Sequence, residues 1–358
     1  MRRRDSKTIQ IGHEWMGGQA PITIQSMTNT DSADAEETIR QILRLEQAGC
    51  EIVRISIYNE ASAAAIRTIK DRIHIPLVAD IHFDYRLAIS AIENGIDKLR
   101  INPGNIGQEK NVKKLVDCAK RAHVPIRIGV NAGSLKREIQ NRFGGATSEA
   151  LVESAQEHVR ILENEQFEDI VVSIKASDVI RTVEANRLLA KQIPYPIHIG
   201  VTEAGLGQMA MIKSAAGVGA LLLDGIGDTV RISITGDPEQ EVQAAWNILR
   251  ALGIRKRGIE IVSCPTCGRT GKNDLEAIVK EVEARLPNTE HYMKIAIMGC
   301  VVNGPGEAAE ADMGVAFAAD QCVLFLKGKR IKTMERNQAV VVLIEEATKY
   351  LNGFVSDQ

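Results

Sequence analysis

Ile126-Arg127-Ile128-Gly129-Val130-Asn131 is the stretch on which the fold turns. It is β-branched and almost continuously apolar, the pattern of a parallel strand covered by helices on both faces. Arg127 sits in its middle, where a buried charge without a partner costs several kcal/mol. The run therefore marks a strand and a site together. Seven similar runs accompany it, at residues 22–25, 52–55, 77–80, 98–101, 170–174, 197–201 and 220–223. Helical patterns lie between them at 34–48, 61–71, 111–122, 148–163, 176–192 and 205–217, each closed by Gly or by a Pro shortly afterwards. Eight alternating units in about 230 residues predict an α/β fold with a closed (β/α)8 TIM barrel. An open Rossmann-like sheet fits less well, because no strand is followed by the dinucleotide glycine fingerprint.

The chain has 358 residues, and single cores stop growing near about 250 to 300 residues. The texture changes at Ile254-Arg255-Lys256-Arg257-Gly258, a basic connector. The expected division is a barrel over 1–253 that binds substrate and a smaller α+β domain over 254–358. In the second part the pattern predicts a helix at 274–286, strands at 293–298, 313–317 and 322–327 with a Lys327-Gly328-Lys329 turn, and a closing helix at 338–351. Lys and Arg total 44 against 46 for Asp and Glu, which gives no reason to expect nucleic acid or an anionic membrane surface as partner. No window approaches the roughly 18 apolar residues of a membrane span, and no apolar segment follows the basic Arg2-Arg3-Arg4, so a cytoplasmic protein is expected. Six unevenly spread Cys suit metal or redox chemistry in a reducing compartment better than a disulfide framework. Cys50 and Cys118 stand alone in helical patterns and read as inert thiols.

Arg54, Arg100, Arg127 and Lys175 all fall within barrel strands or one residue past them. Strand C-termini open into a barrel's active-site mouth, so convergent cations there imply a strongly anionic ligand, and diphosphate is the class that fits. Arg231 and Ser233 follow the eighth strand, a usual place for phosphate in barrels. The competing reading pairs each cation with a nearby acid, Asp80, Glu203 or Asp224. Asp80, His82, Asn102, Asn131 and Glu203 bring neutral and acidic groups to the same rim, suited to orienting hydroxyls or moving protons.

Cys264-Pro265-Thr266-Cys267 and the lone Cys300 of Met298-Gly299-Cys300-Val301-Val302-Asn303-Gly304-Pro305-Gly306-Glu307 place three thiols in Gly/Pro-rich turns. A structural zinc site closes with four Cys or His ligands, and Cys300 has neither beside it. Three thiolates with a labile oxygen ligand, Glu307, suit an iron–sulfur cluster that keeps one iron for substrate. Cys322 is the rival fourth ligand, and a redox dithiol at Cys264 and Cys267 stays open. So does a barrel transferase or lyase whose C-terminal part is a zinc-stabilised module.

These motifs, together with Gln25-Ser26-Met27-Thr28-Asn29-Thr30, Val78-Ala79-Asp80-Ile81-His82-Phe83, Arg100-Ile101-Asn102-Pro103-Gly104-Asn105 and Gly129-Val130-Asn131-Ala132-Gly133-Ser134, resemble the bacterial 4-hydroxy-3-methylbut-2-enyl diphosphate synthases over essentially the whole chain. The resemblance implies one 4Fe-4S cluster per subunit, held by Cys264, Cys267, Cys300 and Glu307, in the short two-domain form of the family. It implies that Arg54, Arg100, Asn102, Arg127, Asn131, Lys175, Arg231 and Ser233 bind 2-C-methyl-D-erythritol 2,4-cyclodiphosphate. The expected catalytic groups are Glu203, Glu307, Asn303, Asp80 and His82, with Glu203 chosen for its place at the rim of the seventh strand. The resemblance further implies flavodoxin or ferredoxin as electron donor, and a head-to-tail homodimer.

Overall fold

The computed structural model describes residues 2–102, 105–266, 274–300, 306, 310–318 and 321–356. The chain divides into two compact units, Met1–Arg255 and Lys256–Gln358. Among the described residues no helix is long and apolar enough to cross a membrane.

The first unit opens with a hairpin, β1 (Ile9–Ile11) and β2 (Glu14–Met16), followed by eight parallel strands: β3 (Thr23–Met27), β4 (Ile52–Ser56), β5 (Leu77–Asp80), β6 (Lys98–Ile101), β7 (Ile126–Asn131), β8 (Ile170–Lys175), β9 (His198–Ile199) and β10 (Thr229–Val230). Each pairs with its neighbour in the order β8-β7-β6-β5-β4-β3-β10-β9. A parallel bridge between Val172 and Ile197 joins β8 to the start of β9 and closes the ring. The expected barrel is thus present. Its outer helices are α1 (Ala35–Gln47), α2 (Glu60–Lys70), α3 (Tyr85–Glu93), α4 (Glu109–Ala122), α5 (Arg137–Phe143), α6 (Ser148–Asn164), α7 (Val179–Ala190), α8 (Gly207–Leu223) and α9 (Pro238–Ala251). Several start on side-chain caps: Asp34, Asn59, Asp178 and Asp237 each accept an amide N–H of the first turn. The main apolar core fills the space between strands and helices.

One strand differs from the sequence reading. Residues 220–223 form the last turn of α8, and the eighth strand is the two-residue β10. Gly217 reads as a stop, but it lies buried within α8, and the helix ends at Asp224 before Gly225, which takes φ +76°. The hairpin β1–β2 was not foreseen either. Its Ile9, Ile11 and Met16 cluster with Ile52, Val78 and Val171 at the N-terminal end of the barrel, sealing the floor with apolar side chains.

The second unit is a five-stranded sheet: β11 (Ile259–Ser263), β12 (Met293–Met298), β13 (Met313–Phe317), β14 (Gln321–Leu326) and β15 (Lys329–Glu335), in sequence order. β11, β12 and β13 run parallel, and β14 and β15 antiparallel. The helices α10 (Leu275–Arg285) and α11 (Ala339–Ser356) share its main core. The two strands that the pattern misses, β11 and β15, lie at the sheet edges; β15 carries Lys329, Arg330 and Lys332, the charge with which edge strands resist further pairing.

Candidate active site at the barrel mouth

Side chains alternate along a strand, so every second residue of each barrel strand points inward. Twelve such or adjacent residues line a pocket of about 130 Å³ at the C-terminal mouth: Arg54, Asp80, His82, Arg100, Arg127, Gly129, Asn131, Ser173, Lys175, Thr202, Arg231 and Ser233. Five cations, four from strands and Arg231 just past β10, therefore meet in one small volume.

Two carboxylates answer them. Asp80 accepts from Arg100 Nη1 at 2.9 Å and lies 3.6 Å from Arg54 Nε. Burial alone pushes the Asp80 carboxyl up, but Arg54 and Arg100 outweigh it and hold the group below the ordinary carboxylate range. Glu241, in the first turn of α9, grips Arg231 through Nε at 3.2 Å and Nη2 at 3.1 Å, and also accepts from Ser26 Oγ at 3.0 Å and the amide of Ile234 at 3.2 Å. Arg54 rests two guanidinium nitrogens on the Met27 sulfur, at 3.1 and 2.9 Å. Lys175 Nζ and His198 Nε2 share a hydrogen bond at 3.2 Å. Among the described residues, Nε and Nη1 of the fully buried Arg127 have no hydrogen-bond partner.

Burial is the first cause that lowers Arg54 to about 10, with Arg231 and Arg100 adding repulsion against the pull of Asp80. Burial likewise drives Arg127 and Lys175 well down, reinforced by the neighbouring cations. The mouth thus stores positive charge that the protein itself leaves under-compensated, the electrostatic complement of a multiply charged anion. Two inward glycines make room for it. A Cβ on Gly129 would lie 2.5 Å from Arg100 Nε, and one on Gly200 would lie 2.8 Å from Lys175 Nζ and 2.2 Å from the Arg231 carbonyl oxygen.

The structure brings together Arg54, Asp80, His82, Arg100, Arg127, Asn131, Lys175, Arg231 and Ser233. His82 is half exposed, with both ring nitrogens 3.3–3.4 Å from Arg100 Nη1. Asn102 is buried just past β6, and its Oδ1 has no partner among the described residues. Glu203 follows Thr202 but is exposed, in left-handed backbone at φ +51°, outside the pocket lining. The acid readings need one correction: Asp224 serves Arg187 on the surface at 2.6 Å, and Glu241 rather than Glu203 or Asp224 holds Arg231. Sequence reasoning missed Glu241, Met27, Ser173, Thr202, His198 and Lys98. Lys98 was legible, standing two residues before Arg100 and so on the same inward face.

In the second unit, Ser263 of β11 pairs with Ile297 of β12, so Cys264 and the Met298-Gly299-Cys300 turn leave the sheet at the same edge. Cys264 Sγ accepts the Gly299 amide at 3.2 Å, which ties this sulfur to the turn that carries Cys300. Soft sulfur donors aimed from one sheet edge fit an iron–sulfur cluster. Cys267, Asn303 and Glu307 lie outside the described residues, and among the described residues no three metal-binding side chains converge. Cys322 is fully buried opposite Phe317 and Met334 in the helix-covered core, where burial pushes its thiol up.

The family model for the GcpE TIM-barrel domain matches residues 6–246, and that for the GcpE protein C-terminal domain matches residues 260–349. A 4-hydroxy-3-methylbut-2-en-1-yl diphosphate synthase (flavodoxin) of Caldanaerobacter subterraneus subsp. tengcongensis is 54% identical over 347 residues, 97% of this chain and 98% of that protein. A protein of the same name from Lawsonia intracellularis is 51% identical over 357 residues, 99% of both. Among solved structures, the sialic acid synthetase of Leptospira borgpetersenii matches with TM-score 0.50 at 14% identity, covering 79% of this chain and 98% of that one, a likeness of fold alone. With both of its units matched in order and half of its residues identical to such relatives from end to end, the chain belongs to the GcpE family.

Proposed function

We propose that the protein catalyses the reductive ring opening and dehydration of 2-C-methyl-D-erythritol 2,4-cyclodiphosphate to (E)-4-hydroxy-3-methylbut-2-enyl diphosphate, in isoprenoid biosynthesis by the non-mevalonate pathway. The observation that carries the reading is the set of five cations in the barrel mouth, paired among the described residues with Asp80 and Glu241. Arg54, Arg100, Arg127, Lys175, Arg231 and Ser233 hold the diphosphate, whose ring must open while its charge stays fixed. Asn102 and Asn131 orient the sugar-derived hydroxyls. Asp80 keeps Arg54 and Arg100 in place, and His82 and Glu203 stand at the rim as groups that orient or protonate the departing oxygen. Two electrons and one proton convert the cyclodiphosphate dianion into the open-chain trianion and water, so a proton donor is required.

Cys264, Cys267, Cys300 and Glu307 are the proposed ligands of one 4Fe-4S cluster per subunit, with Asn303 in the same loop. Such a cluster supplies electrons singly and a Lewis-acidic iron at the exchangeable oxygen ligand. Flavodoxin, which the relatives' names include, is the proposed donor, with ferredoxin the alternative. The proposed assembly is a head-to-tail homodimer. The Cys264–Gly299 contact supports the cluster reading, since it holds one sulfur donor beside the turn that carries Cys300.

The experiment is anaerobic turnover of the cyclodiphosphate by the full chain with a chemical reductant, alongside metal analysis and a visible spectrum. Brown, iron-containing protein that makes the open-chain diphosphate is the expected result. Colourless zinc protein, or no turnover by iron-loaded protein, overturns the proposal. In the same assay, a mixture of Arg127→Gln and Cys264→Ser chains that regains activity supports the head-to-tail dimer, and one that stays inactive refutes it.

A further inference from the structure

Below the mouth, the barrel interior holds one more basic side chain. Lys98 is fully buried, one inward position beneath Arg100, and its strand neighbour Val78 belongs to the apolar floor. Among the described residues its Nζ has no hydrogen-bond partner. The charged and titratable groups around it do not neutralise it. Arg127 from β7 and Arg54 from β4 repel its charge. His198 of β9, itself within the field of Lys98, is already engaged with Lys175 of β8. Asp97, beside it in the chain, is committed to Lys70 and to the amide of Leu77. Asp80 of β5 serves Arg100 and Arg54.

A lysine with only a structural task at this level has an apolar substitute available, as Ile52, Val78 and Val171 show in the same floor. An ammonium without a counter-ion there costs several kcal/mol, whereas the neutral amine costs only its unmade hydrogen bonds. Burial and Arg127 accordingly drive Lys98 well below the ordinary lysine value. The balance changes when negative charge arrives above it, because opposite charge in a low-dielectric site favours the protonated form.

We propose that Lys98 is a further anion-binding residue of this pocket, uncharged in the free protein and taking up a proton from solvent when a dianion settles against Arg127, so that ligand binding is coupled to proton uptake. The proposal rests on the anion-binding reading of the mouth and adds to it a residue outside the pocket lining. The sign follows from linkage. Lys98 binds its proton more tightly in the complex than in the free protein, so affinity falls as pH rises between those two values, by up to about tenfold per pH unit, and is flat outside them.

The test uses the full chain and sulfate, a dianion with no proton of its own to exchange near neutral pH. Its dissociation constant is measured by calorimetry in paired buffers over roughly pH 6.5 to 9.5, a span below the ordinary lysine value. Wild type is expected to take up close to one proton more per bound sulfate than Lys98→Met, whose affinity should be less dependent on pH and meet that of wild type at the alkaline end. Lys98→Gln repeats the comparison without an apolar side chain. Equal proton uptake by wild type and both variants overturns the role of Lys98. Failure of sulfate to bind wild type at all overturns the anion-binding reading first and this proposal with it, so the two failures are distinct. Lys98→Met should unfold at or above the wild-type temperature, since it removes a buried amine that lacks a partner; a large drop would show that Lys98 is paired in the free protein and would likewise refute the proposal.

Discussion

Replacing Glu241 by Gln tests how the mouth is held together. Four donors converge on the two carboxylate oxygens: Arg231 Nε and Ser26 Oγ on Oε2, Arg231 Nη2 and the Ile234 amide on Oε1. Glutamine offers one oxygen and one NH2, so whichever way the amide turns, two donors face a donor. Ser26 can rotate its hydroxyl away, but the guanidinium and the backbone amide cannot. A hydrogen bond to a charged group is worth about 1.5 to 3 kcal/mol, and breaking a buried pair on one side costs about 3 to 5 kcal/mol; the lower end applies here, because the surviving Arg231 side chain is 19% exposed. At the Glu241 end, 4% exposed, water offers little relief.

For a unit of this size 1 kcal/mol moves the melting temperature by about 2 to 4 °C, which puts the expected fall for Glu241→Gln, at about 3 kcal/mol, at about 6 to 12 °C. In turnover, a loosened Arg231 weakens substrate binding more than chemistry, so KM should rise about tenfold, near 1.4 kcal/mol, with a smaller change in kcat. The assay is calorimetric melting plus anaerobic steady-state kinetics on Glu241→Gln, Arg231→Gln and the double variant. Because the two residues act through one contact, the double variant should lose much less than the sum of the singles. Wild-type melting and KM in Glu241→Gln, or additive losses in the double variant, would refute the reasoning.

Two further outcomes are expected. Glu203→Gln should lower kcat and remove one limb of its pH profile while leaving KM within about twofold, since the residue stands outside the pocket lining; full turnover with an unchanged pH profile would deny it any part in proton transfer. Cys300→Ser should abolish iron binding in anaerobically purified protein while Cys322→Ser keeps it, because Cys322 lies in the helix-covered core of its sheet; iron loss in the Cys322 variant would displace Glu307 as the fourth ligand.

The barrel was legible because seven of its eight strands carry their own signal, near-continuous β-branched runs with helices between them. The eighth was not, because β10 is only Thr229–Val230 and owes its place to pairing with β3 on one side and β9 on the other, while the stronger apolar run at 220–223 finishes a helix. Cations inside strands were readable as a site, since nothing else justifies Arg127 between Ile126 and Ile128. Their partners were less so. Glu241 lies on a helix after the last strand and reaches Arg231 across ten residues, a relation set by the bend at Thr235–Gly236 before α9 rather than by any period. The hairpin β1–β2 escaped notice because three-residue strands fall below what alternation can resolve.

The division of labour inside the barrel explains how such a cationic interior is tolerated at all. In an ordinary TIM barrel, layers of branched apolar side chains fill the centre. Here that role is kept only at the floor, where Ile52, Val78 and Val171 meet Ile9, Ile11 and Met16 of the hairpin. Above it the inward positions are Gln25, Lys98, Arg127, His198 and Thr229, each with a buried polar atom that lacks a partner among the described residues. Stability must then come from the outer shell, where the large apolar core between strands and helices lies. Freed from packing duty, the barrel's interior carries charge instead, and the hairpin leaves the C-terminal mouth as the way in for ligand and solvent protons. A ligand that brings negative charge therefore completes the fold's electrostatics, and should raise its melting temperature as binding to the native state alone must.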